Sequence, residues 1–151
     1  AVLKKARIQE NKHIYKVDQK QNRPEPIINK GGSMEWSRSA VKASNAIILS
    51  NFKCEIDPSH QTFISKSTNK PYVESHHLIP LSKQSDFHYD LDQLANLISL
   101  CPLCHRLIHL GIDSDKEMML EKLFNQRKKR LANIGIQITF SDLKIMYGIT
   151  H

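Results

Sequence analysis

Apolar positions recur at two different periods along the chain, and the switches between them outline its elements. Trp36, Ala40, Ala43, Ile47 and Ile48 fall near helical spacing, which predicts a helix from Ser37 or Ser39 to about Phe52, with Ser37 offered as N-cap. Thr62-Phe63-Ile64 is a short strand candidate, Ser67 to Pro71 reads as a turn, and Tyr72 to His76 alternates as a strand does, so a hairpin across that turn is expected. Residues 81–93 are polar and read as a loop. Leu94 to Leu97 leads into a second strand, Ile98-Ser99-Leu100, and Cys104 to Leu110 opens a helix that stops at Gly111. Asp113 or Ser114 then caps a long helix to about Asn133, with Met118, Met119, Leu120, Leu123, Phe124 and Leu131 on its apolar side and Gly135 ending it. Ile136 to Thr139 looks strand-like, and Ser141 caps a last short helix.

The first 30 residues differ in character from the rest of the chain. Lys4, Lys5, Arg7, Lys12, Lys16, Lys20, Arg23 and Lys30 outnumber Glu10, Asp18 and Glu25, and Pro24 and Pro26 end any helix there. Gly31-Gly32-Ser33 has the composition of a flexible linker, and Met34 after it could be a start. Residues 1–33 are therefore expected to be a basic arm or linker, or a fused segment, ahead of one folded domain over 34–151. The chain begins with Ala1, so a fragment or a processed form is expected.

Composition narrows the classes. A hydrophobic content of 40% suffices for a core without making it generous, and a metal staple would help a domain this small. A net charge of +7 favours a polyanionic partner, although a merely soluble basic protein has the same charge. Three cysteines, two of them at C-x2-C spacing, point to metal ligation or free thiols rather than a disulfide framework. No long apolar run and no signal-peptide pattern is present, so no membrane association and a cytoplasmic location are expected.

The histidines and cysteines suggest two metal sites. Cys101, Cys104 and Cys54 supply three thiolates of a tetrahedral zinc site, with His60 as fourth ligand and Asp57 as the alternative. Simple buried thiols are the plainer reading. His105 and His109 share one face of a helix and can bind one cation. His76 and His77, adjacent on a strand, point to opposite sides unless the strand ends there, so one can bind metal while the other reaches a substrate. A base, a Lewis acid and a group to orient the base are the requirements for phosphodiester hydrolysis. His13 and His88 read as surface or packing residues.

Glu74-Ser75-His76-His77-Leu78-Ile79-Pro80, Asn96, Leu100-Cys101-Pro102-Leu103-Cys104-His105 and His109 resemble the HNH endonuclease family over about residues 54–110. The pattern is similar to the HNH domains of modification-dependent and other restriction endonucleases. The His-His pair and the H-x3-H spacing also resemble the nuclease domains of colicins. The resemblance implies an α+β fold: a ββα-metal nuclease core at 54–110 with a structural zinc site, flanked by N- and C-terminal helices, the extension covering 113–151. It implies His77 as general base, and His76, His105 and His109 as ligands of a catalytic Mg²⁺, Mn²⁺, Ni²⁺ or Zn²⁺. Asn96 would orient the base and pin the loop, or bind metal directly, and Glu74 would assist. Relatives of the zinc-ribbon type carry four cysteines as two C-x2-C pairs, whereas here the first pair is reduced to Cys54 with Asp57 at the partner position.

The expected substrate is double-stranded DNA, nicked one strand at a time, so a double-strand break needs a homodimer or two encounters. Arg127, Lys128, Lys129 and Arg130 are read as a phosphate-contacting patch or a solvated helix face, and Lys66, Lys70 and Lys83 flank the site. A restriction or anti-phage role, with an accompanying recognition domain or regulatory protein, is the expected setting. The alternatives are a zinc-stabilised DNA-binding module without catalysis and a nuclease toxin held by a partner.

Overall fold

The computed structural model of the chain describes residues 18–150. The arm before Asp18, with His13, and the terminal His151 lie outside the described residues. Two short strands come first: β1 (Ile27–Ile28) and β2 (Met34–Glu35) pair antiparallel, Ile27 opposite Glu35. The Gly-Gly-Ser run expected to be a linker is the tip of this hairpin. Asn29 Oδ1 accepts from the amides of Gly31 and Ser33, both at 3.0 Å, and Gly32 takes a φ of 81°, a left-handed conformation that glycine adopts without a Cβ clash. The chain ahead of the hairpin is tied down as well, since Arg130 grips Asp18 through Nε and Nη2 at 2.8 Å each.

Helix α1 (Ala40–Leu49) is capped by Ser39, whose hydroxyl accepts from the Lys42 amide; Ser37 takes no part in the cap. It stops before Phe52 because Asn51 and Phe52 both turn to positive φ, 59° and 58°. The hairpin expected between Thr62–Ile64 and Tyr72–His76 is reduced to one bridge, Ile64 opposite Pro71, with the Tyr72 amide donating to the Phe63 carbonyl at 2.9 Å. The Ser65 amide donates to the Lys70 carbonyl at 2.8 Å, but no return bond from the Phe63 amide to the Tyr72 carbonyl follows, so Thr62–Ile64 does not extend into a strand.

The central sheet instead pairs β3 (Glu74–His77) antiparallel with β4 (Leu97–Leu100), Glu74 opposite Leu100 and His77 opposite Leu97. All of β4 is buried. Alternation sends Leu97 to one side, where it clusters with Ala46 of α1 and Leu94, while Ile98 and Leu100 enter the main core. The polar connection between the strands is ordered by two buried amides. Gln84, in the 3₁₀ turn Leu81–Asp86, accepts from the Leu91 amide at 2.7 Å and donates to the Tyr89 carbonyl at 2.9 Å. Asn96 accepts from the Ile79 amide at 2.8 Å and donates to the carbonyls of Ile79 and Leu91, each at 3.0 Å.

Helix α2 (Pro102–Leu110) follows at once, with Cys101 as N-cap and proline in its first turn, where the missing N–H has no partner to lose. It ends at Gly111, where a Cβ would stand 2.7 Å from the Leu107 carbonyl oxygen. Helix α3 (Asp113–Asn133) begins after Ile112, which offers no side-chain cap, so neither Asp113 nor Ser114 is the cap residue. Asp113 and Asp115 sit in the first turn instead, where negative charge meets the helix's positive end. Residues 136–139 form no strand among the described residues. Ile136 is buried in the core rather than on a sheet edge, and Thr139, not Ser141, caps α4 (Phe140–Met146) through a reciprocal capping box with Asp142. The core gathers Leu78, Ile98, Leu100, Ile108, Leu120, Leu123 and Leu143, all fully buried. The result is an α+β fold in which a β3–β4–α2 unit is flanked by α1 on one side and α3 and α4 on the other.

Candidate functional site

His76 on β3 and His105 and His109 on α2 each turn one ring nitrogen toward a common point, the three lying within 4.8 Å of one another. Their ring centroids are 5.0 to 5.2 Å apart. The spacing of four on a helix stacks His105 and His109, and the strand presents His76 from beneath.

The opposite nitrogens are held by neighbours that settle the tautomers. His105 Nδ1 lies 3.0 Å from Glu74 Oε1, and a carboxylate can only accept, so Nδ1 carries the proton and Nε2 is left for a cation. Glu74 is partly buried, which pushes its carboxyl up, but hydrogen bonds from His105 and Tyr72 hold it below the usual carboxylate value, in the charged form. His76 Nε2 lies 2.8 Å from the hydroxyl of Tyr147, which spends its single proton on the Leu78 carbonyl at 2.5 Å. Tyr147 must therefore accept from Nε2–H, leaving Nδ1 of His76 as the free lone pair. Burial, with the neighbouring charges of His105, His109 and His77, lowers the His76 pKa to about 3, so it stays neutral and able to ligate. Burial, His105 and Lys116 likewise hold His109 down.

His77 is the last residue of β3, and there the alternation ends because Asn96 pulls Leu78 and Ile79 into the core. His77 lines the same open cleft of about 250 Å³ as the three other histidines, together with Arg38 and Ser82. Its Nε2 stands 2.8 Å from Asp92 Oδ1, while Asp92 Oδ2 accepts from the Ser39 amide at 2.7 Å. Burial pushes the Asp92 carboxyl up, yet the hydrogen bonds from His77 and Ser39 and the charges of His77 and Lys42 keep it below its ordinary value. The side chain expected to orient His77, Asn96, spends its three hydrogen bonds on Ile79 and Leu91 and does not reach the ring. It ties Ile79 to Leu91, and Asp92 is the residue that meets the imidazole.

The second cluster joins Cys54, His60, Cys101 and Cys104, whose ligand atoms lie within 4.8 Å of one another. His60 Nδ1 is 3.4 Å from Cys104 Sγ and 3.6 Å from Cys101 Sγ. Asp57 is not part of this set: its Oδ2 lies 3.6 Å from the far nitrogen of His60, and its Oδ1 accepts from the amide and hydroxyl of Ser59. Burial pushes the Cys54 thiol up, but amides of Cys101, Asp57 and Ile56 and the ring of His60 bring it to about 7. Burial and the adjacent sulfurs drive Cys104 upward instead. Three thiols this close cannot all ionise unless a cation shares their charge, and three sulfurs with one imidazole form a donor set suited to tetrahedral zinc.

The basic run on α3 divides. Lys128 and Lys129 are exposed, Arg130 pairs with Asp18, and Arg127 is buried, donating to the carbonyls of Leu94 and Ala95 and pairing with Glu55 at 2.6 Å. Arg127 is thus a core ion-pair residue, not part of the exposed patch. Lys66 and Lys70 are exposed and Lys83 half-buried; His88 is exposed and packs edge-on to Tyr89. Nothing in the sequence alone singles out Asp92 or Tyr147. Asp92 looks like any other polar residue of its loop, and no spacing rule links Tyr147 to His76.

No helix among the described residues is long and apolar enough to cross a membrane. No curated protein matches the chain. The family model described as HNH endonuclease matches residues 60–110, the segment that carries His60, the C-x2-C turn and the three converging histidines.

Proposed function

We propose that the chain is a metal-dependent endonuclease that hydrolyses phosphodiester bonds of double-stranded DNA. The observation that carries this reading is the convergence of His76, His105 and His109 on one point in the cleft that His77 also lines. The three imidazoles would hold a divalent cation, and a donor set without carboxylates suits Ni²⁺ or Zn²⁺ better than Mg²⁺. Such a cation supplies a Lewis acid for the negative charge that develops on the phosphate and the leaving oxygen. Asp92 accepts a hydrogen bond from Nε2–H of His77, so Nδ1 is the nitrogen left to accept a proton from the attacking water. Glu74 and Tyr147 hold the ligating rings at the correct tautomer, as outer-shell partners of metal-bound histidines do. The cysteine cluster acts as a zinc staple at the start of α2. The net charge of +7 suits a polyanionic substrate.

We place this activity in restriction or anti-phage defence on the resemblance of the His76–Pro80 and Cys101–His109 motifs to the HNH domains of restriction endonucleases. One site cuts one strand, so a double-strand break requires two copies or two encounters.

Supercoiled plasmid incubated with Mg²⁺, Mn²⁺, Ni²⁺ or Zn²⁺ should be nicked by the protein and not by a His77→Ala variant. Equal nicking by both would remove His77 from the mechanism. Binding without nicking under every metal would favour a DNA-binding module.

A further inference from the structure

The cleft that holds the histidines does not end at them. A second cleft of about 250 Å³ lies between the β1–β2 hairpin and the Leu81–Asp86 turn, and the two share Arg38, Leu81 and Ser82 as a common wall. Met34 and Trp36 form its far side. Trp36 is half-buried, packing against the main core while the rest of it lines the cleft, and Met34 is 52% exposed. Arg38 stands at the junction, exposed, with no hydrogen bond or ion pair among the described residues. The one acid on this wall, Glu35, is held by Asn29 Nδ2 at 2.7 Å. A free guanidinium beside an aromatic and apolar wall is the chemistry of a nucleic-acid strand site, in which the cation takes a phosphate and the aromatic takes a base or sugar.

We propose that this second cleft seats the nucleotide adjoining the scissile phosphate, with Arg38 clamping the phosphate between the two clefts and Trp36 bearing the flanking nucleotide. The inference rests on the nuclease reading, because that reading puts the scissile phosphate at the histidines. The contacts are to backbone and ring faces, so the cleft grips DNA of any sequence. It also gives the hairpin a purpose: Met34, one of its exposed apolar residues, forms a wall of the substrate path.

Trp36 is the single tryptophan of the chain, so its emission reports on this cleft alone. The full chain bearing His77→Ala, which leaves DNA uncut, is titrated with a fluorescently labelled duplex while anisotropy follows binding and tryptophan emission follows the cleft. Emission should change in step with anisotropy. In the same background Arg38→Ala should weaken binding about tenfold at low salt, the loss of one charge-assisted phosphate contact. It should also reduce the slope of log K against log salt by about 1. Arg38 is exposed and unpaired among the described residues, so the variant should melt at the unchanged temperature, and an unchanged far-ultraviolet circular dichroism spectrum confirms its fold. Binding by anisotropy with constant tryptophan emission, or with an Arg38→Ala variant that binds with the original affinity and salt slope, overturns the cleft. Plasmid nicking by the unmodified chain is scored separately, so the nuclease reading stands or falls on its own result.

Discussion

Tyr147 and His76, 71 positions apart in sequence, meet with the tyrosine oxygen 2.8 Å from Nε2 of the imidazole. Lys116 holds the same tyrosine from behind by donating to its carbonyl at 2.6 Å, and both groups are buried. The C-terminal extension is therefore built into the histidine cluster. Without it, nothing in the β3–β4–α2 unit decides which nitrogen of His76 faces the cleft.

Replacing Tyr147 by Phe keeps the buried ring and removes the hydroxyl, which accepts from His76 and donates to the Leu78 carbonyl. Cation affinity at the histidine cluster should fall about 10- to 100-fold, the range seen when an outer-shell partner of a ligating histidine is lost. Calorimetric titration of Ni²⁺ into zinc-loaded protein measures it, and excess Ni²⁺ should restore nicking to the variant. An unchanged affinity would mean that packing alone orders His76.

Asp92 gives a second test, with a pH signature. Its carboxyl ionises below the ordinary value of 3.8 despite burial, because His77, Ser39 and Lys42 favour the charged form. The stabilisation from a depressed carboxyl is complete above the unfolded value and disappears as pH falls through the lower folded value. The melting temperature of the unmodified chain should therefore drop below about pH 4 by more than that of Asp92→Asn. At neutral pH the Asn variant should nick on the order of 10²-fold more slowly, since His77 loses the anion that orients and polarises it. Nicking at the original rate would leave Asp92 a purely structural anchor for the Ser39 amide.

Arg127 and its neighbours Lys128 and Lys129 should separate cleanly. Arg127→Ala strands the partly buried Glu55 carboxylate and two carbonyls, and should cost about 3 kcal/mol or more in urea denaturation. Lys128→Ala with Lys129→Ala should change stability by no more than about 0.5 kcal/mol per site. If they contact phosphates, the double variant instead flattens the salt dependence of DNA binding by about 2 in slope. Equal destabilisation by both variants would contradict this division.

The division was legible in the chain, because Leu120, Leu123, Arg127 and Leu131 fall on one helical stripe, which places Arg127 inward despite the basic run around it. Thr139-x-x-Asp142 likewise spells a capping box that the alternation of Ile136 and Ile138 obscures. Short-range pattern was enough to outline α2 and α3 and to set Cys101 beside Cys104 and His105 beside His109, since spacing on a helix or tight turn is a local property. The partners of the ligands were not legible. Glu74 faces His105 across 31 positions and Tyr147 faces His76 across 71, and such pairings are set by how helices dock on the sheet. Across the nearer turn only the bridge between Ile64 and Pro71 forms, and β3 pairs with β4 instead.

The turn at 101–105 joins both clusters, which makes Cys104 the most revealing cysteine to remove. Cys101 Sγ caps α2 by accepting from the Cys104 amide at 3.4 Å, and the next residue, His105, lies against Glu74 at 3.0 Å. Structural zinc in comparable small sites contributes about 10–16 kcal/mol of binding free energy, as much as or more than the total stability of a typical domain, about 5–15 kcal/mol. A lost ligand therefore loosens the first turn of the helix that carries His105 and His109. Cys104→Ser should bind less zinc by metal analysis, melt at a lower temperature, and nick more slowly even below its melting point. Excess Mn²⁺ or Ni²⁺ should not repair the nicking, in contrast to Tyr147→Phe, because the defect lies in where α2 begins rather than in one ligand's tautomer. Nicking at the original rate by a folded, zinc-depleted Cys104→Ser protein would uncouple the two clusters.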